Sequence, residues 1–255
     1  MGILEGRIAI LTGASSGVGY GAALRFAEEG ATVIACARRL DKLEELKSDA
    51  AARGFTGTII PQQCDVASDD DLDAAVARAI AEGGTVHILA NIAQGGLGEQ
   101  HYIIDTTEEN ALLFYRGGPI ATMLLMQKCF PYMEGQHYGR IVNCASGAGL
   151  GGQAGFAGYA MAKGAILSLT RTAAQEWGQF GIVTNVFCPV TAADSFQTSE
   201  QGKAALAAVS AMSPVRRMGT AYEDTSPMIA FLASEGAGYI NGQTVSICGG
   251  LTMVR

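Results

Sequence analysis

The chain has 255 residues with 24 acidic and 17 basic side chains, a net charge of −7, a pI near 5.0 and a mean hydropathy of +0.22. That balance argues against a nucleic-acid or anionic-membrane partner, since either would want a basic face, and no apolar run approaches the roughly 20 residues needed to span a bilayer. Apolar residues make up 49% and charged ones 16%, which suits a single domain whose sheet is buried on both faces.

Short apolar runs alternate with longer amphipathic ones, the pattern of repeated βαβ units. Strands are predicted at Arg7 to Leu11, Thr32 to Ala37, Thr58 to Gln63, Val86 to Ala90, Arg140 to Cys144, Val183 to Cys188 and Thr244 to Ile247. Helices are predicted near 18–29, 41–52, 69–82, 106–133, 157–179 and 224–234. Pro119 lacks an N–H and is expected to kink or break the fourth of these. Right-handed crossovers stack these elements into one doubly wound α/β domain over residues 1–255, a seven-stranded parallel sheet flanked by helices, with its ligand crevice at the carboxyl ends of the strands. No tandem repeat, low-complexity tract or linker marks a second domain.

The first predicted strand runs directly into Thr12, Gly13, Ala14, Ser15, Ser16, Gly17, Val18 and Gly19. Small residues there let the backbone close on a bound group, and the helix that follows points unpaired N–H groups and its positive dipole end at that group, which favours a diphosphate. Far downstream, Tyr159 and Lys163 stand one helical turn apart, and Ser146 lies thirteen residues before Tyr159, just past the fifth predicted strand. The six cysteines (36, 64, 129, 144, 188, 248) are scattered, with no C-x-x-C and no nearby histidine. They read as small hydrophobes in a reducing cytoplasm, with no metal. The N-terminus, Met1-Gly2-Ile3-Leu4-Glu5-Gly6, lacks the features of a secretory signal, and Gly6 breaks the myristoylation pattern.

In these features the chain resembles the short-chain dehydrogenase/reductase family over essentially its whole length. The matching positions are Thr12 to Gly19, Asp65-Val66, Asn91, Ser146, Tyr159, Lys163, Asn185, Pro189, Arg217-Met218-Gly219, Phe231-Leu232-Ala233-Ser234 and Gly249-Gly250. The resemblance implies an NAD(P)-dependent oxidoreductase that interconverts a ketone and a secondary alcohol. It makes Tyr159 the general acid/base, Lys163 the group that holds the nicotinamide ribose and stabilises the phenolate, and Ser146 the residue that orients the substrate oxygen. Cofactor contacts are expected from Gly13, Ser15, Ser16, Gly17, Val18, Gly19, Arg38, Arg39, Asp65, Val66, Asn91, Ala93, Pro189, Val190 and Thr191, besides Tyr159 and Lys163. Ala37 stands where NAD-preferring relatives carry Asp, and Arg38 follows it. An acidic residue would repel a 2′-phosphate and an arginine pairs with one, so NADP(H) is the expected cofactor, with NAD(H) as the alternative.

Four departures set this sequence apart. Gly118 occupies the position where the family usually has an Asn that anchors a relay water. The usual Asn-Asn-Ala-Gly reads Asn91-Ile92-Ala93-Gln94, the usual Pro-Gly reads Pro189-Val190, and the usual Asp-Gly-Gly reads Cys248-Gly249-Gly250. Glycine cannot hold a water by a side chain, so the proton is expected to come from solvent or through another group. Two further readings stand beside the reductase: a lyase or dehydratase using the same crevice without redox turnover, and a cofactor-binding protein without turnover. Six glycines between 147 and 158, the glycines at 95, 96 and 98, and an apolar lid over about 190–215 with Phe196, Leu206, Val209 and Met212 suggest a roomy pocket for a bulky or cyclic hydrophobic substrate. The resemblance also implies a homotetramer, or a homodimer, packed through the helices near 106–133 and 157–179.

Overall fold

A computed structural model describes residues 2–96, 101–191 and 200–253. Its seven strands are β1 (Ile8–Thr12), β2 (Thr32–Ala37), β3 (Thr58–Gln63), β4 (Ile88–Asn91), β5 (Gly139–Cys144), β6 (Ile182–Pro189) and β7 (Thr244–Ile247). They form one parallel sheet in the order β3-β2-β1-β4-β5-β6-β7. The order reverses between β1 and β4, which opens a crevice at their carboxyl ends.

Side chains alternate along each strand, so one apolar strand feeds two layers. Ala9 and Leu11 of β1 face a layer with Val33, Ala35, Ile88 and Ala90, covered by α1 (Gly17–Glu28), α2 (Leu40–Ala52) and α9 (Ser226–Leu232). Ile8 and Ile10 face the other layer with Ile34, Leu89 and Ile141, covered by α3 (Asp69–Gly83), α5 (Ala121–Gly135) and α7 (Ala157–Trp177). All five residues of β1 are buried, as the strand's unbroken apolar character demands. The predicted single-domain α/β sheet is therefore the observed one.

The predicted helix over 106–133 is two helices. The first, α4 (Glu108–Tyr115), gives way at Arg116–Ile120 to a widened turn in which Gly118 leaves helical geometry (φ −131°, ψ −105°), and α5 begins at Ala121. Pro119, buried and without an N–H, is the cause foreseen. Two helices were not foreseen: the one-turn α6 (Gly147–Gly151), capped by the Ser146 hydroxyl on the Ala148 N–H, and α8 (Glu200–Met212). Within the expected lid, Leu206 and Val209 are half-buried and Met212 is exposed. Phe196 and Gly98 lie outside the described residues.

Between β4 and β5 a buried polar chain ties the sheet to α7. Asn91 Nδ2 donates to Asn143 Oδ1 (2.9 Å), Asn143 Nδ2 donates to Thr170 Oγ1 (3.0 Å), and Thr170 Oγ1 donates to the Ile166 carbonyl (2.8 Å). Replacing the middle member takes the acceptor from Asn91 Nδ2 and leaves Thr170 Oγ1 with the Ile166 carbonyl alone. Asn143→Leu is expected to cost about 2–3 kcal/mol of unfolding free energy, read from urea denaturation.

Candidate active site

The crevice at the strand reversal is a cavity of about 710 Å³, well within the range of small-molecule sites. Its floor is set by close backbone approach. Gly13 turns the chain out of β1 with φ +77°, and a Cβ on it would sit 2.9 Å from the Ala93 nitrogen. A Cβ on Gly19 would lie 2.1 Å from the Gly13 carbonyl oxygen, so only glycine lets α1 start this near the strand end. Thr12, itself buried, clamps the two sides of the reversal: its hydroxyl oxygen accepts from the N–H groups of Ile92 (3.1 Å) and Ala93 (3.2 Å).

At the start of α1 the Ser16 side chain makes no capping bond, so the first N–H groups of the helix face the crevice. Arg39 reaches across from the end of β2 and donates to Ser15 Oγ (3.0 Å) and Ser16 Oγ (3.1 Å), placing a guanidinium at the rim of the glycine turn. Arg38 is exposed on the same wall. This cradle, open N–H groups with cations beside them, fits the diphosphate of a dinucleotide.

Of the residues expected to contact a cofactor, Gly13, Ser15, Ser16, Val18, Gly19, Arg38, Arg39, Asp65, Val66, Ala93, Tyr159 and Lys163 all line this cavity. Asp65 also accepts from the Ala67 N–H (3.0 Å), a local turn that precedes the Ser68 cap of α3. Gly17 sits at the helix start outside the lining. Asn91 turns its side chain into the sheet toward Asn143 rather than into the crevice. Val190 lines a separate cavity of about 220 Å³ with Met218, Ile247, Cys248 and Leu251. Pro189 ends β6, and Thr191 forms a single bridge to Gly219.

Tyr159 and Lys163 meet at the inner end of the crevice. The Lys163 Nζ lies 5.7 Å from the centre of the Tyr159 ring. The lysine is fully buried and donates to the Cys144 carbonyl at the end of β5 (2.8 Å). From the spacing alone the lysine charge is expected to draw the phenol down; in the structure burial wins. Loss of solvation pushes the Tyr159 phenol up to about 12, with the nearby Ser146 hydroxyl pulling the other way. Burial likewise pushes the Lys163 ammonium down. Tyr159 therefore holds its proton at neutral pH.

The glycines between 147 and 158 divide into two kinds. A Cβ on Gly149 would lie 2.7 Å from the Lys163 carbonyl carbon and one on Gly158 would lie 2.8 Å from the Phe114 ring, so these serve packing. Gly151, Gly152 and Gly155 face open space. Sequence reading missed Phe114 and Arg116. Phe114 is buried edge-on against Tyr159, with ring centres 6.0 Å apart, and Arg116 lines the crevice from the helix break. Neither carries a motif; only the break at Pro119 brings that segment to the site. Among the described residues there is no cluster of His, Cys, Asp or Glu that could hold a metal ion, and no helix long and apolar enough to cross a membrane.

A doubly wound sheet, a glycine-turn cradle and a Ser–Tyr–Lys group at the strand ends define a dinucleotide-binding oxidoreductase. Comparison with known proteins narrows this. Residues 13–252 match the family model described as enoyl-(acyl carrier protein) reductase. The chain is 34% identical to a 12alpha-hydroxysteroid dehydrogenase of a Clostridium species, over 98% of each chain. It is 31% identical to a 3-oxoacyl-[acyl-carrier-protein] reductase of Thermotoga maritima, over 98% of this chain and 99% of the relative. Among solved structures, a tryptophan variant of actinorhodin polyketide ketoreductase with NADPH superposes with a TM-score of 0.87 at 26% identity, covering 96% of this chain and 97% of the other. The protein belongs to the short-chain dehydrogenase/reductase family and is an oxidoreductase of the type that interconverts CH–OH and C=O groups with NAD(P).

Proposed function

We propose that this protein is an NADP(H)-dependent reductase of bulky or cyclic hydrophobic ketones, working reversibly on the secondary alcohol, with Tyr159 as general acid/base. The observation that carries the reading is the meeting of Tyr159 and Lys163 at the inner end of the dinucleotide crevice, with the Ser146 hydroxyl near the phenol. The Tyr159 phenol donates its proton to the carbonyl oxygen as that oxygen gains charge. Ser146, already near the phenol, directs its hydroxyl to the same oxygen and fixes its position. Lys163 is held by the Cys144 carbonyl where its charge is near the Tyr159 ring, and it stabilises the phenolate left behind. A reduced nicotinamide, when bound, supplies the hydride. Gly13, Ser15, Ser16 and the N–H groups of α1 would hold its diphosphate, and Arg38 and Arg39 the 2′-phosphate, with Ala37 leaving no carboxylate to repel it.

The substrate class is supported by two steroid-acting relatives, a 12alpha- and a 3beta-hydroxysteroid dehydrogenase at 34% and 32% identity. Six thiols, all buried and unpaired, fit a reducing cytoplasm. Exposed Leu112 and Leu113 on α4, Met123 on α5 and Met161 on α7 support a homotetramer packed through those helices. A light-scattering mass of four chains is expected, and a monomer mass would refute that assembly.

The direct test follows NADPH absorbance with steroid-like and bicyclic ketones against small linear carbonyls. Turnover of the polycyclic set is expected, and Tyr159→Phe should lower kcat by about 10²–10⁴-fold while NADPH still binds. Reaction of small linear carbonyls alone would sink the substrate class; no turnover with either cofactor would sink the reductase. The buried phenol also sets the sign of the pH dependence. Reduction uses the protonated form, so it stays level through neutral pH and falls only near the phenol's own pKa. Oxidation uses the phenolate, so below that pKa it climbs about tenfold per pH unit until another step limits. Arg39→Ala is expected to raise KM for NADPH about 10–100-fold and that for NADH by less than about threefold, because one charge-assisted contact is lost only where the phosphate exists.

A further inference from the structure

Gly118 and Gln94 are two of the four departures from the family pattern, and the structure puts them in contact. A Cβ on Gly118 would lie 2.8 Å from Gln94 Oε1 and 3.0 Å from Gln94 Nε2. The carboxamide that arrives from the loop after β4 thus occupies the volume that a side chain at 118 would need.

That carboxamide is anchored at the helix break. Pro119 brings no N–H and Gly118 is non-helical, so carbonyls at the end of α4 need partners from elsewhere. Gln94 Nε2 donates to the Phe114 carbonyl (3.1 Å) and to the Gly95 carbonyl (2.9 Å), and the Gly95 N–H donates to the Gly117 carbonyl (3.0 Å). The Phe114 ring is boxed in: a Cβ on Gly158 would lie 2.8 Å from it and one on Gly96 3.2 Å, and its edge meets the Tyr159 ring. Gln94 Oε1 is buried and has no hydrogen-bond partner among the described residues. A side chain kept for stability alone would be poorly served by a stranded acceptor.

We propose that Gln94 is a positioning residue of this active site. Its carboxamide replaces, from the sheet side, the amide that the helix lacks at Gly118; it pins the Phe114 backbone at the break and, through the Phe114 ring, sets the place of the Tyr159 phenol. The proposal rests on Tyr159 being the acid/base.

Gln94→Met keeps the volume and removes both donated bonds. It is expected to lower kcat about 10–100-fold, the scale of a misplaced catalytic group, while the Kd for NADPH from fluorescence titration stays within about twofold. In cofactor-free protein labelled with 3-fluorotyrosine, the fluorine resonance of Tyr159, assigned through Tyr159→Phe, should shift and broaden. Gly118→Asn alone crowds two carboxamides into one space and should also lose activity. The pair Gln94→Gly with Gly118→Asn moves the amide from loop to helix and should recover kcat to within about fivefold of the parent. An unmoved fluorine signal and unchanged kcat in Gln94→Met would overturn the proposal. So would a parallel fall of kcat, NADPH affinity and melting temperature, which marks general damage, or a swapped pair no better than Gln94→Gly. The fluorine signal needs no turnover, so a parent protein inactive on every carbonyl would sink the reductase reading while Gln94 was still judged.

Discussion

Burying the Lys163 side chain against the end of β5 is the constraint on which the site depends. An ammonium deep in a protein is costly unless it is hydrogen-bonded, and here, among the described residues, its acceptor is the Cys144 carbonyl at 2.8 Å. Meeting that acceptor fixes the height of α7 along the sheet and thereby the height of Tyr159, one turn earlier. It also forces α6 to cross close over α7, which Gly149 allows, since a Cβ there would lie 2.7 Å from the Lys163 backbone. Ser146 caps α6 and lies near Tyr159, so the three polar groups share one anchoring point.

The same burial divides the labour of the chemistry. A phenol pushed up to about 12 is a proton donor at neutral pH and a poor base. The lysine beside it is pushed down by the same dry surroundings, so its charge is also at risk there. On the proposed role of this pair, a bound dinucleotide would offer the lysine further acceptors and, when oxidised, would bring positive charge toward the phenol. Without cofactor the buried phenol keeps its proton, the form that the proposed reduction uses.

Much of this was legible in the sequence because the relevant constraints are local. β1 through the glycine turn into α1 is one continuous stretch with a period change and small residues at fixed offsets, and the structure has them where sequence placed them. Tyr159 and Lys163 share a helix face by spacing alone. Pro119 announced the break in the long helix. What the break would expose was not legible: which carbonyls lose partners, and which distant side chain meets them, are tertiary facts. Asn91 shows the same limit in reverse. Its place at a strand end suggested the crevice, but Asn143 on the neighbouring strand offers a buried partner and the side chain turns inward. The one-turn α6 escaped because five residues of Gly, Ala and Leu carry too little periodicity to declare a helix.

The four departures, read along the chain, look like independent erosion of a catalytic pattern. In space four of the altered residues fall into two pairs, with Ile92 lining the crevice apart from them. Gln94 and Gly118 fill a single volume, so that a side chain gained on the loop answers one lost on the helix. Val190 and Cys248 both line the second cavity, beyond the end of β6, where they give an apolar wall alongside Met218 and Leu251. Erosion without selection would scatter its changes among unrelated contacts, since a substitution in a packed site is tolerated only where its neighbours can adjust. Paired replacement is the pattern of a site rebuilt around a different contour. It leaves the Ser146, Tyr159 and Lys163 group untouched and changes what surrounds it.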